Sequence, residues 1–202
     1  MYKGRLFVVS GPSGAGKGTI CRELTKEIRI SLSVSMTTRD PRPGEREGRS
    51  YYFVTKEAFE QSIAAGDLLE YAQVYGQYYG TPKQRVLSLL EAGEDIILEI
   101  DTQGAMQVRE HFPEGVFIFI LPPSMAALRK RLLERGTETM EAANERLGKA
   151  MKEISFVNKY DYCIINDFLP VAVARIKSIV IAEHYRVSPH VYDVIEKYKE
   201  EM

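Results

Sequence analysis

The 202-residue chain contains no tryptophan, only two cysteines and only three histidines. Cys21 and Cys163 lie far apart and match neither a metal-binding nor a redox spacing, so both read as small buried hydrophobes. His111, His184 and His190 are isolated from one another and from any carboxylate cluster at ligand spacing. That argues against a metal centre built from His and Cys, and surface positions are expected for all three. No apolar run approaches the roughly 20 residues that span a bilayer. The first such run, residues 6–9, is too short for the core of a secretory signal. An intracellular, cytoplasmic protein with no membrane partner is therefore expected. Neither sign of charge is in excess, with 27 Lys and Arg against 28 Asp and Glu. Such a balance gives no general basic surface for a nucleic-acid polymer, so arginine clusters in this chain are local features.

What is present fits one sizeable domain: 45% of residues are apolar and 27% charged. Short apolar runs at 6–9, 95–100, 116–121 and 162–165 read as strands buried on both faces. They alternate with helical patterns at 19–28, 82–92, 104–111, 125–135, 140–158, 169–186 and about 190–198. Strands of that kind alternating with helices predict an α/β fold with a central parallel sheet flanked by helices. Two segments break the rhythm. Residues 31–81 carry an alternating stretch, the turn-rich Asp40-Pro-Arg-Pro-Gly44 and several tyrosines, and read as a small, partly antiparallel insert. Residues 135–140 form a polar break between helices, of the kind that serves as a hinge or lid.

Between the first strand and the first helix stands Gly11-Pro12-Ser13-Gly14-Ala15-Gly16-Lys17-Gly18-Thr19. A glycine-rich loop in that context turns backbone N–H groups inward, adds the positive end of a helix and lets Lys17 reach the terminal phosphates of a nucleotide. It is a P-loop with one departure, because the residue after the lysine is Gly18 where a hydroxyl is usual. Either Thr19 supplies the oxygen that ligates Mg²⁺, or phosphates and water hold the ion.

Further candidates follow along the chain. Ser35 to Gly44 places hydroxyls with Arg39 and Arg42 on a strand end and a proline-stiffened loop, a set suited to a phosphate monoester or, alternatively, a solvated basic loop. Tyr51 and Tyr79 favour the phosphate if they point at the same spot. Glu70 sits in the mostly apolar Leu68-Leu69-Glu70-Tyr71-Ala72, where a carboxylate wants donors. Guanine presents N1–H and an exocyclic amino group side by side, whereas adenine has an acceptor at N1. Arg131 and Arg135 lie four apart on one helix and Arg146 comes from the next. Together they form either a charged solvent face or a set of cations for a transferring phosphoryl group. Asp101, Asn166 and Asp167 end apolar strands, at the rim where such sheets bind ligands.

These segments together resemble a guanylate kinase from about Gly4 to Glu183. The resemblance rests on residues 10–17, 33–45, Tyr-Tyr-Phe-Val at 51–54, Leu-Glu-Tyr-Ala at 69–72, Tyr-Tyr-Gly-Thr at 78–81, Glu-Ile-Asp-Thr-Gln-Gly at 99–104, Arg-Gly-Thr-Glu-Thr at 135–139 and Asn-Asp at 166–167. It implies transfer of the ATP γ-phosphoryl group to GMP with Mg²⁺. It also implies a P-loop nucleotide-binding core (1–30, 82–135 and 149–202), a mixed α/β GMP-binding insert (31–81) and a helical lid (136–148). Ser35, Arg39, Arg42, Tyr51 and Tyr79 would hold the GMP phosphate, and Glu70, Thr81 and Asp101 would read the guanine. ATP would lie on residues 11–19, with Arg135 and Asn166 near the adenine and Lys17, Arg39, Arg131, Arg135 and Arg146 at the reacting phosphates.

Gly18 departs from the family pattern, and Gly-Lys-Gly-Thr resembles adenylate kinases, although that likeness stops at the loop. Scaffold domains that resemble guanylate kinases but bind proteins typically have a degraded loop, whereas here Gly11, Gly14, Gly16 and Lys17 are all present. The tyrosine-rich insert is compatible with a homo-oligomer interface as well as with a GMP pocket.

Overall fold

A computed structural model describes residues 3–74, 76–134, 140–187 and 189–201. Its core is a five-stranded parallel sheet in the order β2 (Ser31–Leu32), β7 (Ile96–Glu99), β1 (Leu6–Ser10), β8 (Val116–Leu121), β9 (Tyr162–Ile165). Successive side chains of β1 point to opposite faces, so its unbroken apolar run serves two cores. Phe7 and Val9 pack with Ile20, Leu24, Ile118 and Ile176 against α1 (Lys17–Glu27) and α7 (Leu169–His184). Leu6 and Val8 pack with Val86, Leu98, Ala105 and Phe117 against α3 (Lys83–Glu91) and α4 (Thr102–His111). Ile118 is fully buried, and truncation to alanine there would cost about 2–5 kcal/mol.

The second sheet, β4 (Tyr52–Phe53), β3 (Met36–Thr37), β6 (Gln77–Pro82), β5 (Leu68–Val74), is antiparallel except where β3 meets β4. The mixed α/β insert that the resemblance implied thus forms, with one difference in its bounds and one helix that the residue pattern had not located. Ser31–Leu32 pairs with β7 and belongs to the core sheet. A helix, α2 (Lys56–Ala65), also lies in the insert, capped by Thr55, whose Oγ1 accepts the Ala58 N–H, and closed by Gly66 at φ 71°. Only Phe59 of α2 is buried, stacked on Tyr78, so the segment lacks the apolar stripe that marks a helix.

Next come α5 (Met125–Glu134) and α6 (Met140–Ile154); a separate 3₁₀ turn at Val157–Lys159 replaces the end of the helix expected to run to 158. α8 (Pro189–Glu200) ends the described chain. The break at 135–139, with Arg135, lies outside the described residues. Two minor expectations fail. Cys163 is exposed, because it lies on the outer edge strand β9, while Cys21 is buried in the core. His184 is only partly exposed, its Nε2 2.6 Å from Asp95 Oδ2. His111 is exposed as expected, and the side chain of His190 lies outside the described set. Among the described residues no helix is long and apolar enough to cross a membrane.

Candidate active site

Above the carboxyl ends of β1 and β7 lies a cleft of about 670 Å³, the place where a parallel sheet takes ligands. Gly11, Ser13 and Lys17 reach it from the P-loop, and Ser35, Tyr51, Glu70 and Tyr79 from the second sheet and its approaches. Glu99 and Asp101 come from the end of β7, and Arg146 and Glu153 from α6.

The loop is held by its own geometry and from behind. Gly16 caps α1 at φ 96°, a conformation glycine adopts without strain, and a Cβ there would run into Asn166 Nδ2. Lys17 donates to the carbonyls of Gly11 at 2.6 Å and Pro12 at 3.3 Å, so its ammonium lies over the loop. Asn166, buried at the end of β9, donates Nδ2 to the Ala15 carbonyl at 2.8 Å. Arg131 donates to the Asn166 carbonyl at 2.8 Å and to Ala15 at 3.4 Å. The amide of Asn166, expected near an adenine, is thus engaged in bracing the loop, together with the Arg131 guanidinium.

Thr19 is exposed, its Oγ1 accepting from Arg22 at 3.5 Å, and it does not line the cleft. Two side chains face Gly18: a Cβ there would stand 3.0 Å from each carboxylate oxygen of Glu99 and 3.3 Å from Arg22 Nη1. The sequence reading passed over Glu99, although a carboxylate ending an apolar strand was the available signal.

On the other side of the cleft a register irregularity between Leu68 and Glu70 interrupts the alternation of β5. Leu69 joins the core while the next residue, Glu70, is buried too, beneath the cleft. Thr81 Oγ1 donates to Glu70 Oε1 at 2.6 Å. α4 can approach because Gly104 has no side chain; a Cβ would collide with Glu70 Oε2. Asp101 caps α4, accepting the Gly104 N–H at 2.8 Å. Burial pushes the Glu70 carboxyl up to about 7, the nearby Asp101 adding to the rise and Thr81 opposing it.

Arg39, Tyr51 and Tyr79 do meet. Arg39 Nε donates to Tyr79 Oη at 3.3 Å, its guanidinium carbon lies 5.5 Å from the Tyr51 ring centre, and the two tyrosine rings are 6.0 Å apart. Burial raises the Tyr51 phenol above its ordinary value. Glu45, unforeseen from sequence, takes Arg39 Nη2 at 2.9 Å and the Arg42 N–H at 2.7 Å. Burial works against ionisation of that carboxyl, but its contacts with Arg39 and Arg42 outweigh it and hold Glu45 below its usual range. Arg42 is exposed at the edge of this cluster.

The guanylate kinase family model matches residues 3–183. The chain belongs to the guanylate kinase family. The guanylate kinase of Clostridium tetani is 57% identical over 187 residues, covering 93% of this chain and 90% of that protein. That of Clostridioides difficile is 51% identical over 201 residues, 99% and 98% of the two chains. The crystal structure of guanylate kinase from Anaplasma phagocytophilum superposes with a TM-score of 0.77 at 37% identity, covering 91% of this chain and 87% of that one. Five of the segments that resemble guanylate kinases meet at one cleft, lined by Lys17, Ser35, Glu70, Tyr79, Glu99 and Asp101.

Proposed function

We propose that the protein transfers the γ-phosphoryl group of ATP to GMP, giving ADP and GDP, with dGMP as a further acceptor. The observation that carries this reading is that Lys17 of the phosphate loop and the buried Glu70 line the same cleft, so a donor phosphate and a guanine edge would share one site. The phosphate of GMP would lie among Ser35, Arg39, Arg42, Tyr51 and Tyr79. The carboxylate of Glu70 would accept the two adjacent guanine donors, with Thr81 orienting it and Asp101 beside it. Residues 11–19 would cradle the ATP phosphates, braced by Asn166 and Arg131. Arg146, and Arg135 from outside the described residues, would approach the transferring group.

Oxygen donors at the cleft suit a small hard cation. Mg²⁺ keeps several waters and takes one or two carboxylates besides phosphate oxygens, and Glu99, beside Gly18, is the carboxylate placed to hold it, in preference to exposed Thr19. When bound, the ion neutralises charge on the β- and γ-phosphate oxygens. The partition into core, insert and lid is part of the same reading. Closure of insert and lid would align the two nucleotides and exclude water. Such a reaction fits purine metabolism in the cytoplasm.

The test is ADP production from MgATP with GMP, AMP, CMP and UMP offered separately. Turnover with GMP alone is expected. Preference for AMP would overturn the role given to Glu70, and no turnover with any acceptor would favour a protein-binding module.

A further inference from the structure

The helix capped by Asp101 also grips the strand that carries Glu70. β5 is the last strand of its sheet, so one edge of its backbone has no ladder. Gln107 of α4, beyond the motif at 99–104, covers that edge at one residue. The Tyr71 N–H donates to Gln107 Oε1 at 3.1 Å, and Gln107 Nε2 donates to the Tyr71 carbonyl at 2.7 Å. A side-chain amide offers an acceptor and a donor in the manner of a peptide group, so the pair does for Tyr71 what a neighbouring strand would do. This clip falls directly after Glu70, where the register between β5 and β6 is irregular and the ladder holds the strand least. One turn earlier on the same face of α4, Gly104 leaves room for Glu70 Oε2.

The groups assigned to guanine thus come from two places. Glu70 and Thr81 stand on adjacent strands and share a hydrogen bond, whereas Asp101 stands at the start of α4. The Thr81 contact fixes Glu70 within its sheet but not against Asp101. We propose that Gln107 is a positioning residue for base selection: by clipping the Tyr71 backbone to α4 it sets the register at which Glu70 stands beside Asp101, so that the carboxylate meets both guanine donors at once. The proposal rests on the reading of Glu70 as the guanine acceptor. Gln107 does not line the cleft; it acts through Tyr71 and Glu70.

Steady-state kinetics of wild type, Gln107→Met and Gln107→Glu with GMP and with IMP tests this, since the base of IMP keeps N1–H but lacks the exocyclic amino group. Methionine keeps the length of the side chain and removes both hydrogen bonds. Glutamate, assayed at pH 8, keeps the acceptor and sets a carboxylate against the Tyr71 carbonyl. Each variant is expected to raise KM for GMP about tenfold, with kcat and KM for ATP nearly unchanged, and to lower the preference for GMP over IMP about fivefold, the weight of one hydrogen bond. Two variants are used so that a folding failure of one, seen in its circular-dichroism melt, leaves the other to decide. A preference equal to that of wild type, whatever happens to KM or to stability, overturns the proposal, because a merely structural clip would weaken both nucleotides alike. Wild type that does not distinguish GMP from IMP overturns instead the reading of Glu70, and this proposal with it.

Discussion

Thr81 Oγ1 donates to Glu70 Oε1 at 2.6 Å between the neighbouring strands β6 and β5, with both residues buried. One oxygen of the carboxylate is thereby fixed, and the plane of the group is set before any base arrives. Thr81→Val removes that donor at constant shape and leaves a buried acceptor short of a partner, at a cost of about 1–3 kcal/mol. KM for GMP should rise tenfold or more with kcat changed less, and Glu70→Gln should be worse, since an amide cannot accept from both guanine donors. Steady-state kinetics of the two variants checks the order.

Because the Glu70 carboxyl titrates at about 7, GMP binding should depend on pH near neutrality. Guanine takes the ionised form, so below that value binding must expel a proton, and affinity falls by up to about tenfold per pH unit. The second ionisation of a phosphate monoester, near pH 6, contributes in wild type and in Glu70→Gln alike. The difference between their affinity–pH profiles isolates Glu70. The same raised value stabilises the protonated folded protein: thermal stability without nucleotide should decline as pH rises through about 7, and less so in Glu70→Gln.

Lys17→Ala should lower kcat by at least about a hundredfold, as loss of a preorganised donor does. The described partners of Lys17 are carbonyls of its own loop. The melting temperature should therefore move little, and a circular-dichroism melt beside the kinetics separates lost chemistry from lost fold.

At Gly18→Ser the new Cβ would sit 3.0 Å from the Glu99 oxygens, the movable end of a side chain. The hydroxyl can donate to that carboxylate, and the guanine-reading groups are untouched. GMP should remain the sole acceptor, with the main change in the Mg²⁺ concentration for half-maximal rate. AMP turnover by this variant would contradict the separation of metal and base sites.

The sequence was most legible where a residue's fate depends on its neighbours in the chain. β1, β7, β8 and the loop announced themselves, because both-face burial demands unbroken apolar runs and a phosphate cradle demands glycines at fixed steps; β9, expected to be buried on both faces, is an edge strand with Cys163 and Ile165 exposed. α2 was hidden because its single buried residue, Phe59, leaves no periodic stripe. β2 was hidden because two residues carry too little pattern to say which sheet they join. The placement of Glu99 against Gly18 depends on a loop far away in the chain, which no local spacing encodes, whereas Glu45 meets Arg39 and Arg42 within its own loop. Thr81 was expected at the guanine, yet the hydrogen bond it makes is to the carboxylate that would read that base.

The brace on the Ala15 carbonyl has a consequence for the order in which the protein can become competent. The loop is encoded near the start of the chain, while Asn166, which grips it, follows 151 residues later. A nascent chain that has emerged only as far as β8 already carries the whole glycine motif, but the buried carbonyl at its centre lacks the Asn166 amide. The brace can form only once β9 has docked at the sheet edge, so the last support of the loop is added late in synthesis.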